Sequence, residues 1–220
     1  SFQIYLATAG GFVLNDAFTR LAQEYCGMFE VDYTSKKLST MTKSGCCWHQ
    51  FTEYIVEHNA PKAIRITEED MTGYPYSNTS EEVWNGTKMV KTRKRLLELE
   101  SEGNTIAFSF VAEKNQKRVV LFTIDDNRLH YVLLAKDSTV EFAWPEDGDS
   151  DGRQFVYDAA AGEISFKNKD VQYLVYQKNG ATGIRITAGG KVYDWPASKS
   201  SIKGKLTDAA ALNAENMGMK

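Results

Sequence analysis

Apolar and polar residues alternate with a period of two along most of this chain, in short runs separated by turn residues. Such alternation predicts strands of antiparallel sheets that bury one face. In the second half a run recurs about every ten residues, a spacing typical of a barrel, a sandwich or propeller blades. The predicted strands cover residues 29–33, 37–42, 48–56, 63–67, 105–111, 118–124, 129–134, 139–144, 155–157, 163–166, 171–176, 183–187 and 192–195.

Helical patterns are few. Asn15 or Asp16 can cap a short helix that continues to Tyr25, because both side chains accept hydrogen bonds from a helix N-terminus. Its apolar face would comprise Phe18, Leu21 and Ala22. Residues 88–100 fit a helix by composition and a strand by alternation, so both remain open. The alanine-rich residues 208–217 predict a short or frayed helix.

Together these patterns predict an all-β protein of antiparallel sheets, arranged as a propeller-like fold, a barrel or a sandwich, with one short N-terminal helix. The Ser-Glu-Gly-Asn stretch at 101–104 separates a mixed first half from an all-β second half. We therefore expect a mixed subdomain at 1–100, an antiparallel subdomain of about eight strands at 101–205, and a tail at 206–220.

The charge balance argues against a nucleic-acid binder, and the length of the apolar runs argues against a membrane-spanning protein. Over 220 residues, 26 Lys and Arg face 29 Asp and Glu, which gives a net charge of −3. Nucleic-acid binders usually carry a basic excess, so no nucleic-acid partner is expected. No run approaches the eighteen or so apolar residues of a membrane span, so membrane insertion is not expected either. The oligomeric state stays open.

One local motif matches a calcium-binding loop. Asp147, Asp149 and Asp151 alternate, Gly152 occupies the sixth position, and Asp158 occupies the twelfth. Calcium requires six or more oxygen ligands, and this spacing places carboxylates on one concave side of a loop. Two features argue against calcium: Asp158 reaches less far than the usual Glu for bidentate contact, and the motif lies between predicted strands. A solvated acidic turn after Pro145 is the alternative. Ca²⁺ is thus the one cofactor that the sequence suggests.

The three cysteines, Cys26, Cys46 and Cys47, leave two alternatives open. A bridge from Cys26 to Cys46 or Cys47 would indicate an oxidising compartment, since a bridge between adjacent cysteines strains the peptide. Three buried thiols are the other alternative. Cys47 and His49 would share a strand face, but no signature of a cysteine hydrolase surrounds them. We therefore expect no enzymatic activity.

A polar segment follows the last predicted strand. It contains Ser198, Lys199, Ser200 and Lys203. Such a loop can insert into the cleft of a partner protein, where lysine or serine reaches acidic groups. A flexible tail fits the same composition.

Two segments of the first half carry a family resemblance. Residues 32–38 read Asp-Tyr-Thr-Ser-Lys-Lys-Leu and residues 43–49 read Lys-Ser-Gly-Cys-Cys-Trp-His, with Tyr54 and Pro61 following. This pattern resembles a family of periplasmic, β-propeller-like immunity proteins that inhibit lysozyme-like effectors delivered by bacterial secretion systems. The second half is similar to secreted bacterial β-domains through residues 127–131 and 140–145, among others, although it lacks the Ser-Gly-x-Gly-x-Arg-Tyr loop of small lysozyme-inhibiting barrels.

The resemblance implies a periplasmic or secreted bacterial immunity protein that binds and blocks a cognate effector, such as a peptidoglycan hydrolase. A secreted β-rich module that binds a glycan or another small ligand is the alternative. An exposed, protruding aromatic patch would favour the inhibitor, whereas a cleft lined by Trp and Tyr would favour the ligand module.

Overall fold

The computed structural model describes residues 3–24, 29–98, 104–124, 128–145 and 152–220. It is 63% strand and 9% helix, arranged in several antiparallel sheets with two helices, so the predicted all-β class is confirmed. The chain divides into two compact units, unit 1 over Ser1–Leu96 and unit 2 over Leu97–Lys220. Within the described ranges, no helix is both long and apolar enough to cross a membrane.

Unit 1 contains a two-stranded hairpin, one helix and a six-stranded sheet whose strands follow one another in chain order. Within the segment 88–100, for which the prediction was ambiguous, Met89–Leu97 forms a strand at the edge of this sheet. The elements are β1 (Tyr5–Thr8), β2 (Gly11–Leu14), α1 (Asp16–Glu24), β3 (Phe29–Asp32), β4 (Lys37–Ser44), β5 (Trp48–Glu57), β6 (Ala60–Asp70), β7 (Tyr76–Trp84) and β8 (Met89–Leu97).

Helix α1 packs on one face of this sheet. The Asn15 side-chain oxygen accepts a hydrogen bond from the Phe18 amide at 3.0 Å, which caps the helix as the sequence predicts. The predicted apolar face is buried, and Phe18 and Leu21 form a core with Leu38 of β4 and Tyr54 of β5. The sheet thus has a buried patch under the helix.

Unit 2 is built from two sheets. One has the order β12-β11-β10-β9-β18 and the other has the order β17-β16-β15-β14-β13-β19, in which β19 pairs parallel with β13. The elements are β9 (Asn104–Val111), β10 (Arg118–Ile124), β11 (Arg128–Leu134), β12 (Val140–Trp144), β13 (Phe155–Asp158), β14 (Glu163–Asn168), β15 (Val171–Lys178), β16 (Ala181–Ala188), β17 (Lys191–Pro196), a 3-10 turn (Lys199–Ser201), β18 (Lys203–Gly204), α2 (Leu206–Ala211) and β19 (Met217–Met219).

The core of unit 2 is shared by both sheets. Phe108 and Leu121 of one sheet pack in the same cluster as Phe155 and Ile164 of the other. Strand β10 is buried on both faces, because Val119 through Phe122 are all fully inaccessible. This explains why its sequence is a continuous apolar run instead of an alternating one.

The C-terminal segment is part of this core. The short helix predicted in this segment is present as α2, and its Leu206 and Ala209 are buried in the cluster. The Asn216 side chain then pairs with the backbone of Leu129, accepting from its amide at 2.8 Å and donating to its carbonyl oxygen at 2.9 Å. The last fifteen residues are therefore held by both apolar packing and hydrogen bonds.

A fully buried tyrosine in this core has an unpaired hydroxyl. Tyr131 is inaccessible, the centroid of its ring lies 4.8 Å from that of Phe166, and its Oη has no hydrogen-bond partner among the described residues. Burial raises the pKa of this hydroxyl well above its usual value. The apolar surroundings therefore hold the hydroxyl neutral and unsatisfied.

Replacing Tyr131 with phenylalanine is expected to raise the free energy of unfolding by about 1 kcal/mol, because the buried hydroxyl costs desolvation that no partner repays. Urea denaturation of both proteins measures this difference. Tyr176→Phe is the matched control, since its hydroxyl donates to Asp194 at 3.0 Å and its loss should lower stability by about 1 kcal/mol. A comparable loss in Tyr131→Phe would contradict the assignment.

Candidate binding site

The β1–β2 hairpin is fixed to the rest of unit 1 at its base. The Asn15 amide donates to the Ile4 carbonyl oxygen at 2.8 Å, and the Ile4 amide donates to the Thr19 hydroxyl of α1 at 2.9 Å. The Asn15 side chain also donates to the Asn59 carbonyl oxygen at 2.7 Å, in the turn between β5 and β6. One residue therefore caps the helix and positions the hairpin.

Beyond this base the hairpin exposes apolar side chains. Phe12 is 78% exposed, and Tyr5, Val13 and Leu14 are also exposed. An isolated two-stranded hairpin is only marginally stable in water, and exposed apolar surface of this kind usually marks an interaction site. The hairpin contains no charged residue, because the first charge of the chain is Asp16.

An apolar cavity of about 600 Å³ lies between the hairpin and β3, β4 and β5. We call it the hairpin cavity. Ile4, Tyr5, Leu6 and Phe12 line it from the hairpin side, and Phe29, Val31, Leu38 and Val56 line it from the sheet side. Its volume falls within the range of about 300–1,000 Å³ that is usual for small-ligand pockets. The cavity adjoins the core beneath α1, because Leu38 belongs to both.

The turn between β3 and β4 forms the polar rim of the cavity. The Asp32 carboxylate accepts hydrogen bonds from the Ser35 hydroxyl at 2.6 Å and from the Ser35 and Thr34 amides, which holds its pKa below the usual value. This network fixes the turn. Tyr33 lies in the turn and is 86% exposed. At neutral pH Asp32 is therefore an ionised turn residue.

The charge of Lys37 at the rim is neutralised within the sheet. Its ammonium pairs with Glu53 at 2.8 Å, and Glu53 also lies 3.9 Å from Arg65. The hairpin cavity therefore presents apolar walls and ordered polar groups at its mouth. Such a site can bind apolar groups, because contact with its walls removes them from water.

A second polar cluster lies elsewhere on the sheet of unit 1. The Glu68 carboxylate accepts from the Ser80 hydroxyl at 2.7 Å and from the Gln50 amide at 3.1 Å, and it pairs with Lys91 at 3.4 Å. These contacts lower the pKa of Glu68, with the Ser80 hydrogen bond as the largest cause. Lys91 pairs further with Glu82 at 2.9 Å. Because its members satisfy one another, this cluster stabilises the sheet.

The cysteine prediction needs a correction. Cys46 and Cys47 are free thiols in the turn between β4 and β5, so the alternative of a bridge from either of them to Cys26 is not supported; Cys26 itself lies outside the described residues. The turn is at the tip of a hairpin, where Cys46 is exposed and Cys47 is half-buried, so the alternative of three buried thiols is wrong for Cys46. His49 stacks on Phe51, with 6.4 Å between the ring centroids.

The calcium loop stays a prediction. Asp147, Asp149 and Asp151 lie outside the described residues. Asp158 accepts from the Ala161 amide at 2.8 Å and pairs with Lys220 at 3.3 Å, and these contacts lower its pKa. No group of three or more His, Cys, Asp or Glu suited to a metal occurs in the part of the chain that the structure describes.

The polar segment predicted to contact a partner is ordered along β9. The Ser198 amide donates to the Val111 carbonyl oxygen at 2.8 Å, and Lys203 pairs with Ser109 in the β18–β9 ladder. Gly204 has a φ of 73°, and a side chain there would collide with the Ala107 carbonyl, so only glycine allows this approach. The side chains of Lys199, Ser200 and Lys203 are exposed, and their contact with a partner stays a prediction.

Sequence reasoning missed the hairpin cavity. Its signal was present, because residues 4–14 place apolar runs on both sides of Gly10 and Gly11 without any charge. That pattern predicts a hairpin. It does not indicate that the hairpin stands apart from the main sheet and encloses a cavity with it.

Comparisons with protein-family models, with curated proteins and with solved structures found no match.

Proposed function

We propose that this protein is a non-catalytic inhibitor that binds a cognate effector protein through the hairpin cavity and the exposed hairpin beside it. The observation that carries the proposal is the uncharged, exposed hairpin with Phe12 at the mouth of an open apolar cavity. This is the protruding aromatic patch that favours an inhibitor. The cavity then receives an apolar side chain or loop of the effector.

The energetics favour a protein partner for this surface. Aromatic residues at the centre of interfaces typically contribute about 2 kcal/mol or more each. Phe12 and Tyr33 stand on opposite sides of the cavity, on the hairpin and on the β3–β4 turn, and both are mostly exposed. A partner that covers both would bury the cavity between them. Because the surface is held by hydrogen bonds at Asn15 and Asp32, little ordering is required on binding.

The resemblance to periplasmic immunity proteins supports a secreted bacterial effector as the partner. The segment 32–38, which resembles periplasmic immunity proteins, forms the rim of the hairpin cavity. We propose a periplasmic or secreted bacterial location, with an effector such as a peptidoglycan hydrolase delivered by a secretion system. A net charge of −3 would steer the protein toward a basic effector, so association should slow as salt rises.

The test is calorimetry with the effector candidate encoded beside this gene. Phe12→Asp is expected to weaken binding by about 30-fold or more, because it places a charge in the apolar contact. Val192→Asp is the matched control, since Val192 is an exposed apolar residue of unit 2 and its replacement should leave the affinity within about threefold. Full affinity of Phe12→Asp would exclude the hairpin as the binding surface.

A second candidate function, the binding of a small ligand, is favoured by the volume of the cavity, about 600 Å³. Peptidoglycan fragments and an apolar fluorescent dye such as anilinonaphthalene sulfonate probe it directly. Saturable binding of a fragment that Phe12→Asp abolishes, with no binding of the effector, would replace the inhibitor proposal.

A further inference from the structure

Strand β3 has one edge without a strand partner. It is the first strand of the six-stranded sheet of unit 1 and pairs only with β4, from Phe29 opposite Thr40 to Asp32 opposite Lys37. Among the described residues, no backbone hydrogen bond reaches its outer edge. The backbone groups of such an edge can hydrogen-bond an added strand.

The register shows which backbone groups of β3 face outward. The Met71 amide donates to the Cys47 carbonyl oxygen at 2.8 Å, so odd-numbered residues of β5 bond to β6 and even-numbered residues of β5 bond to β4. The even-numbered residues of β4 lie opposite these, which leaves its odd-numbered residues to bond β3. Within β3 the even-numbered residues therefore bond to β4, and the amides and carbonyl groups of Phe29 and Val31 point away from the sheet.

This edge lacks most of the features that protect edge strands. Native edges are usually protected by lysines, by a proline, by a bulge or by shortness. Strand β3 contains no lysine or proline, its pairing with β4 has no register shift, and only its length of four residues protects it. At the other edge of the same sheet, β8 carries four cations, Lys91, Arg93, Lys94 and Arg95. Of these two edges, β3 is therefore the one open to a partner strand.

The open edge borders the hairpin cavity. Phe29 and Val31 both line the cavity, and Val31 is 38% exposed. Because alternate side chains of a strand point to opposite faces, Glu30 lies on the other face of β3. Glu30 is exposed and makes no ion pair with the described residues. A strand added here would meet apolar groups on one face and a carboxylate on the other.

We propose that an extended segment of the effector, with alternating apolar and basic side chains, adds to β3 as an antiparallel seventh strand of the sheet. Main-chain hydrogen bonds to Phe29 and Val31 supply affinity, and alternate side chains supply specificity. The apolar side chains enter the hairpin cavity, and the basic side chains approach Glu30. The net charge of −3 favours the same basic partner. This inference rests on the proposed inhibitor function and names the part of the effector that the cavity receives.

The first test is calorimetry of edge variants with the effector candidate encoded beside this gene. Val31→Pro removes an amide that points outward, so it should weaken binding about 30-fold or more without breaking a bond of the sheet. Val31→Ala keeps the amide and should weaken binding less than about fivefold. Circular dichroism should show that both variants are folded.

Val192→Pro is the matched control. Val192 is also an exposed valine on an edge strand, β17. The Ala197 amide donates to the Thr182 carbonyl oxygen, so odd-numbered residues of β17 bond to β16 and the Val192 amide points outward. Its replacement by proline should leave the affinity for the effector candidate within about threefold.

A probe peptide tests the edge without the effector. The probe is acetyl-Thr-Leu-Lys-Leu-Arg-Leu-Thr-amide, and amide NMR of the native chain follows its binding. At saturation the Val31 amide hydrogen should exchange at least about tenfold more slowly, because it becomes hydrogen-bonded. A probe with glutamate in place of lysine and arginine should bind at least about tenfold more weakly, as should a probe N-methylated at its leucines, whose amides face β3 in antiparallel pairing.

The outcomes separate the two proposals. Effector binding that Val31→Pro leaves unchanged would overturn strand addition and leave the inhibitor proposal standing. Binding of the probe peptide without binding of the effector candidate would overturn the inhibitor proposal and support β3 as a strand-binding edge. A probe peptide that does not bind, or that binds without slowing exchange of the Val31 amide, would overturn strand addition.

Discussion

Asn216→Ala is expected to lower the free energy of unfolding by about 3–5 kcal/mol, the larger part of the stability of many domains. Asn216 is only 1% exposed, and its side chain satisfies both the amide and the carbonyl oxygen of the fully buried Leu129. Alanine would leave both backbone groups buried without partners. Each such group costs about 1–3 kcal/mol.

The same residue joins three segments, which increases the expected loss. Its side-chain nitrogen also donates to the Gln154 side-chain oxygen at 3.0 Å, and alanine would lose this hydrogen bond as well. The backbone carbonyl oxygen of Asn216 accepts from the amides of Gln154 and Phe155 at 2.8 Å and 3.0 Å, and in the variant these two bonds alone would hold the segment there. The side chain of Gln154 in turn accepts from Arg128. Weakening this junction should therefore release β19 from β13 as well.

Urea denaturation of the native chain and Asn216→Ala measures the effect. Glu215→Ala is the control, because Glu215 is the exposed neighbour and its replacement should change stability by less than about 0.5 kcal/mol. A loss below about 1 kcal/mol in Asn216→Ala would show that water replaces the side chain easily, contrary to its burial.

Phe18→Ala is expected to lower the stability of unit 1 by about 3–5 kcal/mol through the cavity it leaves. Phe18 is fully inaccessible and is the largest side chain that α1 contributes to the core with Leu38 and Tyr54. Removing the ring should destabilise the helix. It should also destabilise the base of the hairpin, because the Thr19 hydroxyl of the helix accepts a hydrogen bond from the Ile4 amide.

Hydrogen exchange read by mass spectrometry tests this prediction locally. Peptides from α1, β4 and β5 should exchange faster in Phe18→Ala, whereas peptides from β14 to β16 in unit 2 should keep their protection. Arg20→Ala, at an exposed position on the same helix, should leave both sets unchanged. Equal loss of protection in both units would contradict a local role for Phe18.

Much of the fold could be predicted because strand patterning is a local property of sequence. Alternation with a period of two located β4, β5, β11 and β14 close to their observed bounds. The residues around Asn15 predicted the helix and its buried face, since capping and amphipathicity act within a few residues.

The candidate sites could be predicted only in part. The adjacency of Cys46 and Cys47 is visible in the sequence, but only the structure shows that both are free thiols in the turn between β4 and β5. The secondary structure of segment 88–100 also stayed ambiguous from the sequence, because its composition suits a helix. Only its pairing at the edge of the sheet makes it the strand β8.

By itself, the sequence determined that this is an all-β protein with a short capped helix near its start. Tertiary structure alone decided that an uncharged hairpin would enclose a cavity with the sheet, and that Asn216 would pair with Leu129, 87 residues away. The physical reason is the separation along the chain of the residues that interact. Alternation and capping are set by neighbours along the chain, whereas a cavity or a buried polar junction exists only where distant segments pack together.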